Sequence, residues 1–67
     1  MSVAKISEIT STSKKSFEDA IETGVKRASK TLRGVQTAWV ADQEVHVKGS
    51  KITEYHVRLK ITFLMDE

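Results

Sequence analysis

Two acidic side chains near the middle of the chain have a spacing that could support chemistry. Asp42 and Glu44 are separated by one residue, so on a regular strand both carboxylates point to the same face. Two carboxylates placed in this way can act as a general acid and a general base, or they can bind a hard cation through oxygen. Solvated polar side chains around a strand irregularity show the same pattern. A ligand site and a polar surface patch are therefore both open interpretations.

The single tryptophan of the sequence, Trp39, is a candidate for binding a planar ligand. Its ring offers a large π surface for stacking, but tryptophan is also enriched where protein subunits meet. His56 likewise fits either a ligand contact or a surface contact. Arg58 and Lys60 follow at alternate positions, where they can meet an anionic group or pair with carboxylates of a neighbouring chain.

No catalytic motif accompanies these residues in the sequence. Neither histidine stands at a motif spacing from a serine nucleophile, and the chain has no glycine-rich phosphate-binding loop. Because the chain has no cysteine, disulfides and thiolate zinc sites are excluded. His46 and His56 stand ten residues apart, a spacing that predicts a poor structural metal site. We therefore expect a binding protein and not an enzyme.

The first half of the chain has the pattern of one strand followed by one amphipathic helix. Residues 3–9 contain β-branched side chains in partial alternation, which is typical of a strand. Apolar residues then recur at helical spacing across residues 13–32, which predicts a helix with one apolar face. The hydroxyl side chains of Thr12 and Ser13 are candidates for its N-cap, and Gly34 suits its C-cap.

The second half of the chain has the pattern of a β-hairpin. Six apolar side chains alternate with other residues across residues 55–65, which predicts a long strand with one buried face. Residues 48–51 supply the turn, so residues 35–47 should form the antiparallel partner. The apolar alternation of that partner changes phase within residues 41–44, which predicts a β-bulge there.

These elements predict an α+β protein with the order β-α-β-β and a three-stranded antiparallel sheet packed on one amphipathic helix. If the apolar phase faces the helix, Thr37, Trp39 and His56 point out of the opposite face of the sheet. The last strand can extend ~45 Å at about 3.3 Å per residue, whereas the helix spans only ~30 Å at about 1.5 Å per residue. We therefore expect a second copy of the chain to cover the strand ends and the sheet face that the helix leaves exposed.

The length and charge of the chain fit one domain over residues 1–67. A chain of 67 residues buries only about 60% of its unfolded surface, so we expect self-association to add stability. The net charge is only +2 and the basic residues are scattered, which argues against a nucleic-acid partner. Neither a signal peptide nor a membrane span is evident, so we expect a cytoplasmic protein with no membrane partner.

Several segments of the chain occur in the same order and at the same chain length in one known family. They are Ser11-Thr12-Ser13, Ser16-Phe17, Ala28, Thr31-Leu32, Val40-Ala41-Asp42-Gln43 and the run from Glu54 to Leu64. Over nearly its whole length the chain resembles the dodecins, small bacterial and archaeal proteins that form hollow dodecamers and bind flavins. The resemblance implies a sheet strongly curved around the helix, a homododecamer and a non-catalytic role in which the shell sequesters a flavin for storage or buffering.

The resemblance also implies positions for the ligand contacts. In flavin-binding dodecins a tryptophan stacks on the flavin ring in pairs across a two-fold axis, and Thr37 falls at that position. Trp39 lies two residues further along the same face, a displacement of about 6.6 Å. His56 falls at the polar position that bonds the flavin edge, and Glu44 and Leu64 fall where arginines bind the phosphate of FMN. Thr37, Trp39 and His56 are therefore the candidate contacts for riboflavin, FMN or FAD.

A second branch of dodecin-like proteins lacks this tryptophan and is associated with calcium. Residues 38–43 and 51–53 look more like that branch than like the flavin-binding dodecins. The alternative function is therefore a dodecin-like assembly that does not bind flavin and instead binds a divalent cation such as calcium. Asp42 and Glu44 are the candidate ligands for that cation.

Overall fold

The computed structural model describes residues 3–65, which form three strands and one helix in the predicted order. Strand β1 covers Ala4–Ser13, helix α1 covers Phe17–Thr31, strand β2 covers Val35–Lys48 and strand β3 covers Lys51–Leu64. Both strand pairings are antiparallel, and β3 lies between β1 and β2. The predicted β-α-β-β architecture is confirmed, and each strand is longer than the sequence pattern indicated.

The hydrophobic core lies between α1 and the middle strand of the sheet. Val57, Leu59 and Ile61, at alternate positions of β3, are the largest fully buried side chains. Ala20 and Ala28 of α1 are buried in the same cluster. The small helical side chains let α1 lie close to β3. The predicted buried face of β3 is confirmed at Val57, Leu59 and Ile61, whereas Met65 lies beyond the end of the strand and is exposed.

The start of α1 differs from the prediction. The N-cap is Ser16, whose hydroxyl accepts a hydrogen bond from the backbone N–H of Asp19 at 3.0 Å, so the N-cap predicted at Thr12 or Ser13 is wrong. Ser13 is instead the last residue of β1. Its hydroxyl accepts a hydrogen bond from the backbone N–H of Lys15 at 2.9 Å and donates one to the Asp19 carboxylate at 2.6 Å. Ser13 therefore stabilises the turn that leads into the helix.

The end of α1 also differs from the prediction. Leu32 is the C-cap, with an extended backbone at φ −105° and ψ 133°, and its N–H donates to the carbonyl of Ala28 at 2.8 Å. Because Leu32 packs against the core, the chain leaves the helix before Gly34, and the C-cap predicted there is wrong. Gly34 has a φ of 68° at the entry to β2.

Among residues 3–65, the single helix lacks the length and apolar character that a membrane-crossing helix needs.

The hairpin of β2 and β3 confirms the predicted turn and the predicted bulge. Gly49 and Ser50 both have positive φ, at 57° and 71°, as a two-residue type I′ turn requires. The pairing register shifts between Val40 and Asp42, so Ala41 is the extra residue of the bulge. Two further shifts, near the two ends of β2, were not predicted.

Candidate functional site

The face of the sheet turned away from α1, termed the outer face below, carries the candidate site residues. Side chains alternate along each strand, and the buried residues of β3 identify the inner face. The pairing register then assigns to the outer face Glu8, Thr10, Thr37, Trp39, Asp42, Glu44, His46, Glu54, His56, Arg58 and Lys60. Because the bulge at Ala41 shifts the phase, residues before and after it share this face.

Trp39 lies open on the outer face, with 64% of its surface exposed. It pairs across the sheet with Lys60, whose Nζ lies 5.1 Å from the centre of the indole ring. A cation–π interaction of this kind is worth about 0.5–1 kcal/mol at an exposed site. Thr37 is also exposed and pairs with Thr62. The indole therefore keeps a large aromatic surface available to a flat ligand.

His56 shares the outer face with Trp39 but lies further along the strands. It pairs with Glu44, four residues along β3 from Lys60, which is the partner of Trp39. Four strand residues span ~13 Å at about 3.3 Å per residue. A flat ligand stacked on Trp39 meets His56 of the same chain only if it extends over that length. The structure thus places the predicted flavin contacts on one face but does not bring His56 beside Trp39 within one chain.

Asp42 and Glu44 lie on the same face of the sheet, the outer face, as their spacing in the sequence predicts, but they have different neighbours. Oδ2 of Asp42 lies 3.7 Å from Nη1 of Arg58, and Oε2 of Glu8 lies 3.7 Å from Nε of the same arginine. These side chains are half exposed or more, so each ion pair is worth about 0–1 kcal/mol. The guanidinium of Arg58 opposes the binding of another cation to Asp42, whereas Glu44 lies beside the histidines.

The two histidines are direct neighbours on the outer face. The rings of His46 and His56 stack with their centroids 3.8 Å apart and their planes at 14°. Glu44 lies with them, and one ligand atom from each of the three side chains lies within 4.8 Å of the others. These residues are termed the Glu44–His46–His56 cluster. The two histidines are ten residues apart in the sequence but adjacent in space, because the hairpin folds β2 back against β3.

Glu54 contacts both histidines of this cluster. Its Oε1 lies 3.1 Å from Nε2 of His56, a hydrogen-bond distance, and 3.6 Å from Nδ1 of His46. The hydrogen bond with His56 holds the pKa of Glu54 below its usual value, against the smaller opposing effect of desolvation. Glu54 is therefore an ionised acceptor at neutral pH, and it fixes the position of the His56 ring.

Trp39 does not line either of two cavities on the described part of the chain. A small cavity of about 60 Å³ lies beside the cluster and is lined by Thr10, Asp42, Glu44, His56, Val57 and Arg58. It has room for ordered water but not for a flavin ring. A larger cavity of about 290 Å³ is lined by Lys5, Thr31, Leu32, Arg33, Phe63, Leu64 and Met65. Of these residues, only Leu64 was predicted from the sequence to lie at a ligand-binding position of the family.

The fold and the outer face together define a small β-α-β-β module with one sheet face packed on a helix and a polar face that carries an open indole. The Dodecin family model matches residues 3–66 of the chain, which is nearly all of it. This chain belongs to the dodecin family, and the predicted resemblance is confirmed.

Individual dodecins agree with this assignment in sequence and in structure. Calcium dodecin of Mycobacterium tuberculosis is 32% identical over 65 residues, which cover 97% of this chain and 92% of that protein. The crystal structure of that protein is described as that of a calcium-chelating antigen with a novel calcium-binding site. It aligns with 97% of this chain over 93% of its own length, with a TM-score of 0.83 and 33% sequence identity. The crystal structure of a mutant of the Thermus thermophilus dodecin aligns with this chain over 100% of both chains, with a TM-score of 0.93 and 31% sequence identity.

Proposed function

We propose that this protein is a non-catalytic, homo-oligomeric dodecin shell that binds and sequesters a flavin for storage or buffering. The observation that carries the proposal is the exposed indole of Trp39 on the outer face. Stacking a flavin ring on this indole removes apolar surface of both from water and adds a favourable aromatic contact. The ammonium group of Lys60 lies over the indole ring, so it would have to move toward the ring edge to donate a hydrogen bond to a carbonyl oxygen of a flavin stacked on that face.

Self-association of the chain is supported by the apolar side chains that one copy leaves in solvent. The buried core of the described residues consists of only five hydrophobic side chains. Besides Trp39, the large hydrophobic side chains that stay exposed are Val3, Ile6, Val47, Ile52, Leu64 and Met65. Further copies of the chain would cover this surface. We expect the assembly to be a homododecamer, as the resemblance to dodecins implies.

The residues at the phosphate positions favour riboflavin over FMN. The positions that match the phosphate-binding arginines of flavin dodecins are Glu44 and Leu64. A carboxylate repels a phosphate group, and a leucine offers it no charge or hydrogen bond. We therefore expect riboflavin to bind at least as tightly as FMN. FAD, which also carries phosphate groups, should show no advantage over riboflavin.

A second candidate function is a dodecin assembly that binds calcium and no flavin. Its support is the relative named calcium dodecin, together with the carboxylates of Asp42 and Glu44 on the outer face. Calcium takes about 6–8 oxygen ligands, so such a site would need carboxylates from several copies of the chain. Arg58, 3.7 Å from Asp42, opposes a calcium ion at that carboxylate.

A fluorescence titration separates the two candidates. Riboflavin is titrated with the purified protein and with the Trp39→Ala and Trp39→Phe variants, while native mass spectrometry reports the assembly. We expect saturable quenching of flavin fluorescence with the wild type, loss of quenching with Trp39→Ala, and partial retention with Trp39→Phe at unchanged assembly mass.

The same protein preparation tests the calcium alternative. A ligand that binds only the folded assembly raises its Tm by mass action. If riboflavin is not quenched at micromolar protein while calcium raises the Tm, the flavin proposal is replaced by the calcium alternative. If Trp39→Ala dissociates the assembly, the tryptophan is a subunit contact and the proposed stacking role is wrong.

A further inference from the structure

We propose that the Glu44–His46–His56 cluster is a binding site for a divalent transition-metal ion of the zinc type, separate from the proposed flavin contact at Trp39. Three side chains of metal-binding type place one ligand atom each within 4.8 Å of the others. Two of these ligands are imidazoles, and the third is a carboxylate. Within one chain the cluster lies ~13 Å along the strands from Trp39 at about 3.3 Å per residue, so the metal site does not need a flavin at the indole, and it assigns His56 to the metal and not to the flavin edge.

The backbone of the hairpin holds the three ligands together. Glu44 pairs directly with His56 across β2 and β3, and His46 pairs with Glu54 at the next outer-face position. His46 and His56 are therefore diagonal neighbours on adjacent strands, a position from which long side chains reach one another. Ligands carried by paired strands keep their spacing better than ligands carried by loops.

Glu54 acts on the cluster as an orienting group. Its Oε1 accepts a hydrogen bond from Nε2 of His56 at 3.1 Å and lies 3.6 Å from Nδ1 of His46. A proton on each of those nitrogens leaves Nδ1 of His56 and Nε2 of His46 as the free lone pairs. Metal-binding histidines commonly donate their other ring N–H to a carboxylate in this way, which fixes the tautomer and strengthens the ligand.

Side-chain rotations are needed to complete the coordination geometry. Bonds from zinc to histidine nitrogen are about 2.0–2.1 Å, so two tetrahedral ligand atoms stand roughly 3.4 Å apart. The stacked imidazoles must turn so that their lone pairs converge, and His46 has the freedom to do so because half of its side chain is exposed. The small cavity lined in part by Glu44 and His56 has room for a water molecule next to the cluster.

The chemistry of the ligands selects the class of metal. Imidazole suits zinc, copper, nickel and iron, whereas calcium and magnesium prefer oxygen ligands. A pair of imidazoles with one carboxylate therefore favours Zn²⁺, Co²⁺ or Ni²⁺ over Ca²⁺. The site differs in this respect from the calcium site considered for Asp42 and Glu44.

Cobalt titration tests the site, because Co²⁺ bound to nitrogen and oxygen ligands has a visible absorption spectrum. The full chain, prepared without a histidine tag, is titrated with Co²⁺ and then with Zn²⁺ and Ca²⁺ as competitors. The variants are His46→Ala, His56→Ala and Glu54→Gln, with Glu8→Gln, an exposed carboxylate outside the cluster, as the matched control on the same face. Far-UV circular dichroism establishes that each variant is folded.

We expect one Co²⁺ per chain, displacement by Zn²⁺ and no displacement by equimolar Ca²⁺. Each histidine variant should weaken Co²⁺ binding by tenfold or more, and Glu54→Gln should weaken it by about 10–100-fold, as loss of an orienting carboxylate does. Glu8→Gln should leave binding unchanged. The proposal is overturned if the wild type takes up no Co²⁺, if folded His46→Ala and His56→Ala bind it as the wild type does, or if Ca²⁺ displaces it.

Discussion

Helix α1 approaches the sheet closely at Gly24, and replacing this glycine with alanine tests how tightly the two elements are packed. An added Cβ at Gly24 would lie 2.9 Å from Cδ1 of Leu59 and 3.1 Å from Cβ of Ser11. Non-bonded carbon atoms prefer about 3.5–4.0 Å, so both contacts are too short by roughly 0.5–1 Å. Leu59 is fully buried, and the Ser11 Cβ is fixed to the backbone of β1, so neither atom moves away freely.

The expected change in the free energy of unfolding is the balance of two opposing effects. Alanine is favoured over glycine in a helix by about 0.8–1 kcal/mol. An extra methyl group in a well-packed core costs about 1–3 kcal/mol. We therefore expect Gly24→Ala to lower the free energy of unfolding by about 1 kcal/mol. Thr23→Ala, at the exposed neighbouring helical position, is the matched control and should raise it by about 0.5 kcal/mol.

Urea unfolding followed by far-UV circular dichroism measures both changes, at one fixed protein concentration because the assembly state enters the stability. Leu59→Ala removes Cδ1 and makes room for the new methyl group. The double variant with Gly24→Ala should therefore lose less stability than the sum of the two single losses, by about 0.5–3 kcal/mol. If Gly24→Ala stabilises the protein as much as Thr23→Ala does, and its effect adds to that of Leu59→Ala, the close packing described here is refuted.

Three other substitutions test the site, the helix start and the buried face of β3. Trp39→Ala should weaken riboflavin binding in a fluorescence titration by about 30-fold. This factor corresponds to about 2 kcal/mol for the lost apolar burial and aromatic stacking. An unchanged Kd would contradict the stacking role. Ser16→Ala removes the N-cap and should lower the free energy of unfolding by about 1 kcal/mol in the urea assay, and no change would argue against the observed helix start. Leu59→Asp places an unpaired charge in the core and should prevent folding, so a soluble, normally assembled variant would show that the assigned inner face is incorrect.

The fold was predictable because its determinants are local patterns in the sequence. The alternation in β3 identifies the buried residues Val57, Leu59 and Ile61 directly. Gly49 and Ser50 indicate the turn, and the phase change around Ala41 indicates the bulge. Each of these signals depends on residues within a few positions of one another, so no long-range contact is needed to interpret them.

The predicted start of the helix and its C-cap residue were wrong because contacts with the rest of the fold decide them. Thr12 and Ser13 are good N-cap residues by type, but Ser13 pairs with Tyr55 and thus extends β1. The helix begins only after the turn, at the next serine that can cap it. At the other end, contact of Leu32 with the core ends the helix before Gly34. Tertiary contacts therefore override the local preference at both ends.

The histidine cluster could not be predicted because it depends on the exact register of the hairpin. Continued from the turn without interruption, the pairing of Lys48 with Lys51 would place His46 opposite Thr53. A register shift next to His46 instead pairs it with Glu54, which puts both histidines on the outer face. A shift of one residue turns a side chain to the other face of a sheet. Both histidines have even residue numbers, but the sequence alone does not reveal the register shift next to His46 that puts them on the same face of the sheet.

The most direct test of the proposed function is a crystal structure of the assembly grown with riboflavin. The flavin ring should lie flat against the indole of Trp39, with contacts from a second copy of the chain and with Lys60 at its edge. A well-ordered assembly that holds riboflavin away from Trp39, or that holds none at saturating concentration, would contradict the proposal that this dodecin sequesters a flavin through its displaced tryptophan.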